Sequence, residues 1–139
     1  MGFELAHYPV LAEMQAAPLF PDLGYCFTDA GQGWAEITFA ASKRTHNLYG
    51  IVHGGAWLFL ADSAMGGALG TVCEPGERIL TTQANFRWLR ALRGDTIRAR
   101  GRVLHRGRTV CHCAVELFDA AGELIGEGSG TYVVTAAPA

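Results

Sequence analysis

Apolar and polar residues alternate along most of the second half of the chain. The alternation runs through residues 78–90, 95–105, 109–118 and 123–134, as expected for strands that bury one face. Polar turns such as HRGR and DAAGE separate these segments. This half of the chain therefore predicts a meander of antiparallel strands.

The first half predicts a helical segment, a hairpin and a second, more apolar helix. Residues 4–16 are amphipathic and end before Pro18, so we assign residues 1–20 to an N-terminal helical segment. Alternation at residues 23–28 and in WAEITFAA, joined by the turn DAGQG, predicts a β-hairpin. Residues 54–73 are apolar on nearly every side, which predicts a helix with little exposed surface.

These elements predict an α+β fold. An antiparallel sheet needs cover on one face, and a helix that is apolar all round needs cover on every side. Both needs are met when the antiparallel sheet wraps around one long central helix. We expect residues 1–139 to form a single domain, with a short flexible tail at residues 135–139.

Composition favours a homo-oligomer and predicts no membrane-spanning segment. Half of the 139 residues are hydrophobic, and surplus apolar surface of this kind is often buried between subunits. The most apolar stretch contains Asp62, Ser63 and Thr71, so it predicts a buried helix and not a membrane span. The N-terminus lacks the basic start and apolar core of a secretion signal, so we expect a cytoplasmic protein.

Positive charge is concentrated in residues 78–108, where Asp95 is the only acid. The arginines are either solvated residues on strand faces or a patch that receives phosphates, and the pattern alone leaves both open. The rest of the chain is acidic, which favours a small anionic ligand over nucleic acid. The cluster comprises Arg78, Arg87, Arg90, Arg93, Arg98, Arg100, Arg102, Arg106 and Arg108.

The four cysteines predict free thiols and no metal site. None of them forms a CxxC pair. Cys111 and Cys113 point to one face of a predicted strand, while His112 points to the other. We therefore expect buried thiols that do not bind metal.

A single carboxylate, Asp62, lies in the middle of the apolar run. Burying an ionised carboxylate without a partner costs roughly several kcal/mol of free energy. Asp62 is either a buried acid satisfied by a group such as Ser63, or a general base or nucleophile. The second interpretation is our leading hypothesis.

The sequence HGG immediately precedes this helix. Free backbone N–H groups at a helix start can stabilise a carbonyl oxygen that becomes negative during attack, and glycine lets a ligand approach them. Asp62 lies eight residues beyond Gly54, or about 12 Å along a helix axis. The two groups therefore cannot act on one carbonyl within one helix. If both are catalytic, they come from different subunits, with two antiparallel helices across a dimer axis.

The stretch HNLYGIVHGGAWLFLADSAMGGALG resembles the signature of hotdog-fold acyl-CoA thioesterases, specifically the PaaI-like branch of phenylacetate degradation. That signature has Asn, five further residues, His-Gly-Gly, and an acid eight residues beyond the first glycine. Asn47, His53, Gly54 and Asp62 occupy these positions. The order of predicted elements is also similar over nearly the whole chain.

The resemblance implies a role for each of these residues. The Gly54 N–H polarises the thioester carbonyl, and Asp62 of the partner subunit attacks it or activates a water molecule. Asn47 places the water or the leaving thiolate, and His53 is a supporting hydrogen-bonding group. A hydroxyl on the strand after the helix assists; Thr81 is the best match, on a polar face with Gln83 and Asn85, whereas Thr82 is expected to face the helix.

The resemblance also implies how the substrate is held and how the subunits assemble. Coenzyme A is part of the substrate, no other cofactor is expected, and basic residues hold its nucleotide. The subunits form a dimer with shared active sites, and two dimers form a tetramer. The arginines expected to hold coenzyme A are Arg87, Arg90, Arg106 and Arg108.

The predicted function is hydrolysis of an acyl-CoA or aryl-acyl-CoA thioester to a free acid and coenzyme A. Two alternatives stay open: a hydratase or dehydratase of the same fold, and a non-catalytic acyl-CoA binding protein. Aryl-acetyl, hydroxybenzoyl and medium-chain acyl groups all remain candidates. The residues that shape either an acyl pocket or the core are Trp57, Phe59, Met65, Phe86 and Trp88.

Overall fold

The computed structural model describes residues 2–136, which form three α-helices and six strands. The helices are α1 (Pro9–Ala16), α2 (Leu19–Leu23) and α3 (Gly54–Gly70), with 3-10 turns at Leu5–His7 and Lys43–Thr45. The strands are β1 (Tyr25–Gly31), β2 (Trp34–Ala40), β3 (Arg78–Trp88), β4 (Thr96–Arg106), β5 (Val110–Asp119) and β6 (Leu124–Thr135).

The six strands form one antiparallel sheet in the order β1-β2-β4-β5-β6-β3, so β1 and β3 are its edges. The long helix α3 contacts all six strands. Its residues Leu60, Met65 and Leu69 are fully buried, as are Ile97 and Leu117 on the facing strands. The predicted combination of an antiparallel sheet with one long helix packed against it is confirmed.

Glycine at position 101 allows the closest approach of α3 to the sheet. A Cβ atom there would overlap the carbonyl group of Ala64, in the middle of α3. The contact therefore joins backbone to backbone, with no side chain between them. Any larger residue on β4 at this point would push the helix away from the sheet.

Helix α3 ends three residues earlier than the sequence pattern predicts, at Gly70 and not at residue 73. The hydroxyl of Thr71 donates to the carbonyl oxygen of Ala68 at 2.7 Å and accepts from the N–H of Gly33 at 2.8 Å. Thr71 thus binds one of the last helix carbonyls and ties the helix end to the β1–β2 turn. Such a long-range contact leaves no mark in the local hydrophobic pattern.

The N-terminal region also differs from its prediction. The single helix expected at residues 4–16 is a 3-10 turn followed by α1, which begins at Pro9. Proline suits the first helical position because its missing N–H would have had no helical partner. The short helix α2 was not anticipated, and it is capped at its C-terminal end by Gly24, whose φ of 92° favours glycine.

The remaining predicted elements differ from the observed bounds by one to three residues. The tail predicted at residues 135–139 begins at Thr135, which is still part of β6, and residues 137–139 lie outside the described residues. Cys111 and Cys113 are buried free thiols, as predicted, whereas Cys26 is exposed. No helix within residues 2–136 combines the length and apolar character that a membrane span requires.

The backbone contact at Gly101 predicts opposite effects of adding one methyl group at two glycines. Gly101→Ala should lower the free energy of unfolding by about 1–3 kcal/mol, because α3 must move. Gly66→Ala should raise it by roughly 0.5–1 kcal/mol, because alanine favours a helix interior. A Cβ at Gly66 would lie 3.8 Å from the Met14 side chain, an ordinary contact.

Urea unfolding followed by tryptophan fluorescence measures both changes in free energy. Equal midpoints for wild type and Gly101→Ala would contradict the close approach of helix and sheet. The Gly66→Ala variant adds the same methyl group within α3 itself, where there is space for it, and serves as the matched control.

Candidate active site

Asp62 is half-buried at the side of α3, so the sequence-based expectation of an acid in a dry interior is wrong for the single chain. It borders a cleft of about 280 Å³ between α1, α3, β3 and β6, which we call the Asp62 cleft. Water reaches this cleft, which removes much of the cost of an ionised carboxylate. Its lining includes Val10, Met14, Asp62, Ile79, Thr81 and Tyr132.

Two hydroxyl groups donate to the same oxygen of Asp62. The Thr81 hydroxyl lies 2.9 Å from Oδ1, and the Tyr132 hydroxyl lies 2.8 Å from it. Burial raises the pKa of Tyr132, and the neighbouring Asp62 raises it further, so the phenol keeps its proton and donates. Hydrogen bonds to a charged acceptor are stronger than those between neutral groups.

A β-bulge at Thr82 brings Thr81 to Asp62. Thr81 pairs with Tyr132 and Gln83 pairs with Thr131, so Thr82 is an extra residue in β3. The extra residue reverses the alternation of side chains along the strand. Thr81 therefore faces α3, and the prediction that it lies on the polar face with Gln83 is wrong.

Thr82, which was expected to face the helix, donates instead to the carbonyl oxygen of Thr131 at 3.0 Å. Periodicity assumes an unbroken strand, so it assigned both threonines to the wrong faces. It also missed Tyr132 as a site residue. The only sequence signal for Tyr132 was a tyrosine hydroxyl on the buried face of β6, where a polar group needs a partner.

At the other end of the site, His53 caps the start of α3. Its Nδ1 accepts the N–H of Gly55 at 2.8 Å, so the ring satisfies one of the free donors of the first turn. The N–H of Gly54 has no acceptor within residues 2–136. This donor lies at the positive end of the helix dipole and suits a negatively charged oxygen.

Gly54 borders a second cleft of about 560 Å³, the Gly54 cleft. Asn47 lies on its wall, and the Asn47 Oδ1 accepts the N–H groups of Tyr49 at 2.9 Å and Ile51 at 3.3 Å. Asn47 and Gly54 thus lie in the wall of the same cleft. The side-chain oxygen of Asn47 accepts hydrogen bonds from its own loop. The lining of the Gly54 cleft includes Asn47, Ile51, Gly54, Trp57, Trp88 and Arg90.

The two clefts share no lining residue within one chain. Asp62 follows Gly54 by eight residues of continuous helix, which corresponds to about 12 Å of rise. A reacting carbonyl group must lie about 3 Å from both the base and the oxyanion donor. The Gly54 N–H and the Asp62 carboxylate of one chain therefore cannot act on the same carbonyl group.

The four arginines predicted to hold coenzyme A lie in two places. Arg87 and Arg90, near the end of β3, form ion pairs with Glu127 at 2.6 Å and Glu123 at 3.7 Å. Arg106, at the end of β4, lies 3.4 Å from Glu77, a residue of the Asp62 cleft. Arg108 is exposed in the following turn and forms no ion pair within the described residues.

The aromatic and methionine candidates divide between cleft and core. Trp57 and Trp88 line the Gly54 cleft, and Phe86 packs edge-on against Trp88 with 4.9 Å between ring centroids. Phe59 packs against other aromatic rings, and Met65 is fully buried. Trp88 is 49% exposed and is therefore the candidate that a ligand in this cleft would touch most, whereas Trp57 is 5% exposed and borders the cleft from the core.

Comparison with known proteins places the chain in a family. The sequence profile of the thioesterase superfamily matches residues 49–125, more than half of the chain. The chain is 31% identical over 99 residues to the 1,4-dihydroxy-2-naphthoyl-CoA hydrolase of Escherichia coli (strain K12). The aligned region covers 70% of this chain and 72% of that protein.

Two solved structures share the fold. A thioesterase family protein from Silicibacter pomeroyi superposes with a TM-score of 0.86 and 21% identity, over 94% of this chain and 98% of that one. A hypothetical thioesterase from Streptococcus pneumoniae TIGR4, solved with coenzyme A, gives a TM-score of 0.77 and 23% identity, over 98% of this chain and all of the other (100%). The chain belongs to the thioesterase superfamily, has the hotdog fold and is a thioester hydrolase.

Proposed function

We propose that the protein hydrolyses acyl-CoA thioesters at a site assembled from two subunits. The observation that supports this most directly is the separation of Asp62 and Gly54 into two clefts of one chain. Pairing Asp62 of one subunit with Gly54 of another completes the acid–donor pair that thioester hydrolysis needs.

The edge strand β3 supports a dimer. It is exposed along most of its length, and Leu80 and Trp88 are 52% and 49% exposed. Unpaired strand edges with apolar side chains are surfaces that proteins usually cover. A second subunit on this edge would cover them and lie beside both clefts.

In the proposed reaction, Asp62 takes a proton from water while the water oxygen attacks the thioester carbon. The carbonyl oxygen becomes negative and accepts the Gly54 N–H. The C–S bond then breaks, and the coenzyme A sulfur leaves with the proton. Alternatively, Asp62 itself attacks the thioester carbon, the C–S bond breaks with departure of the coenzyme A thiolate, and water cleaves the resulting mixed anhydride. Oxygen-18 in the Asp62 carboxylate after one turnover in labelled water identifies this second route, with attack of water on the aspartyl carbon of the anhydride.

The other residues support this pair. Thr81 donates to Asp62 and orients it, as its 2.9 Å contact indicates. Asn47, on the wall of the Gly54 cleft, is proposed to place the water or the leaving thiolate. His53 acts through the helix start that it caps, next to the Gly54 donor.

The finer parts of the proposal concern the substrate and the assembly. The Escherichia coli relative is named for a coenzyme A thioester, and the Streptococcus pneumoniae structure contains coenzyme A. Both support coenzyme A as the leaving group, with no separate cofactor. Trp57 and Trp88 suit an aryl acyl group, with medium-chain acyl groups as the alternative. Assignment to the PaaI-like branch and phenylacetate degradation, a dimer of dimers and a cytoplasmic location complete the proposal.

Replacing the Asp62 carboxylate should abolish most turnover. We expect Asp62→Asn and Asp62→Ala to lower kcat by about 10²–10⁴-fold, because the base or nucleophile is lost. A thiol reagent measures free coenzyme A released from a panel of acyl-CoA esters. Asp22→Asn, which alters an exposed carboxylate on α2, is the control. An Asp62→Ala variant with near wild-type kcat would contradict the proposal.

Shared sites predict recovery of activity when two inactive variants are combined. Gly54→Pro removes the single N–H, and proline is tolerated at a first helical position. His53, with φ −60° and ψ 136°, already has a conformation that suits a residue before proline. When equal amounts of Gly54→Pro and Asp62→Asn chains pair at random, about half of the dimers are mixed, and each mixed dimer has one intact site of two. The mixture should therefore recover about one quarter of the wild-type activity.

Refolding the two variants together and measuring thiol release tests this. Gly54→Ala keeps the N–H and places its Cβ 3.7 Å from the Trp88 ring, so it controls for bulk and should retain far more activity than Gly54→Pro. No recovery in the mixture would show that each chain contains a complete site.

Arg108 is exposed and is the one of the four arginines that forms no ion pair within the described residues, so its guanidinium is available to bind a phosphate of coenzyme A. Arg108→Ala should raise KM for an acyl-CoA by about two- to five-fold and leave kcat unchanged. The N-acetylcysteamine thioester of the same acid lacks the phosphates, so its KM should not change. Arg102→Ala, at an exposed position on β4, is the control. Equal effects on both substrates would contradict this role.

A further inference from the structure

We propose that Tyr132 is a positioning residue that, together with Thr81, holds Oδ1 of Asp62 and leaves Oδ2 as the oxygen that reacts. This inference rests on the proposed function of Asp62 and extends it to a residue that acts through the Asp62 carboxylate. Its basis is the hydrogen-bond geometry around the carboxylate.

Two neighbouring strands present the two hydroxyls as a pair. Thr81 on β3 and Tyr132 on β6 are directly opposite each other in the sheet. Side chains of opposed residues point to the same face, which here faces α3. As a result both hydroxyls reach one oxygen of Asp62, at 2.9 Å and 2.8 Å.

The Tyr132 ring has little freedom to leave this position. Its side chain is only 1% exposed. A Cβ atom at Gly130 would lie 2.9 Å from its ring, so the glycine provides space that the ring needs. The hydroxyl also lies 3.2 Å from the Asp62 carbonyl oxygen, which keeps it against this turn of α3.

The two donors make the carboxylate oxygens unequal. Within residues 2–136, hydrogen bonds reach Oδ1 but none reaches Oδ2. Rotation of the carboxylate by half a turn would exchange the oxygens but would break both bonds in passing. The pair of hydroxyls therefore fixes the plane of the carboxylate and keeps the Oδ2 lone pairs available to a water molecule or an acyl carbon.

Tyr132→Phe removes the hydroxyl and keeps the buried ring. We expect kcat for acyl-CoA hydrolysis to fall by about 10- to 100-fold, the loss that corresponds to one hydrogen bond to a charged group. KM should change by less than about two-fold, because the Tyr132 hydroxyl acts through Asp62 and its ring is buried. Thr81→Val, at an exposed position, removes the other donor to Oδ1 and should lower kcat in the same way.

A double-mutant cycle separates positioning from a general structural effect. In the Asp62→Asn background, Tyr132→Phe should not lower kcat further, because the group that it positions is gone. A purely structural role would lower kcat by the same factor in both backgrounds. Tyr8→Phe removes a hydroxyl that donates to the Ala30 carbonyl at 3.1 Å, away from Asp62, and should leave kcat unchanged.

The outcomes distinguish this inference from the proposed function. Wild-type kcat in Tyr132→Phe or in Thr81→Val overturns the inference, and so does an equal loss in the Asp62→Asn background. Wild-type kcat in Asp62→Asn overturns the proposed function itself. Melting temperatures of all variants show whether a loss of kcat arises from unfolding, and Thr81→Val tests the same oxygen without disturbing the core.

Discussion

The rise per residue of helix α3 sets the distance between the two groups on which the proposed chemistry depends. Gly54 and Asp62 lie on α3 at a fixed distance of about 12 Å, because eight residues of continuous helix separate them. No side-chain movement can shorten a backbone distance of this kind. The proposed chemistry therefore depends on a second copy of the chain, and the position of α3 against the sheet determines where that copy must place its own Gly54 and Asp62.

The sheet holds α3 in place through a contact that tolerates no side chain. At Gly101 the strand backbone meets the helix backbone at Ala64, two residues after Asp62. The same turn of helix therefore makes the closest contact with the sheet and presents the carboxylate. Stability and the orientation of Asp62 are thus linked through one short segment of α3, and the Tyr132 hydroxyl adds a second link from β6.

The sequence predicts the secondary structure better than the environment of individual side chains. Four alternating segments became β3 to β6, and the apolar run became α3, because burial of one face leaves a direct periodic signal. The 12 Å separation of Gly54 and Asp62 also follows from helix geometry alone. Tyr132, in contrast, reaches Asp62 from 70 residues away in the chain, and no local pattern reports such a contact.

Two further differences have physical causes of the same kind. The end of α3 depends on a hydroxyl that bridges to Gly33, far away in sequence. The half-exposed state of Asp62 depends on how α1 packs near it, and the composition of α3 predicted a dry interior. In both cases tertiary contacts decided what periodicity left open.

The bulge at Thr82 makes the number of residues in β3 matter as much as their identity. Before the bulge, Thr81 faces the helix; after it, Phe86 lies on that side. One odd-numbered position and one even-numbered position can share a face only because one residue is inserted between them. Loss of a single residue at this point would restore a regular ladder, but it would leave either the hydroxyl or the aromatic ring on the wrong side of the sheet. The register of side chains along β3 therefore determines which residues face Asp62.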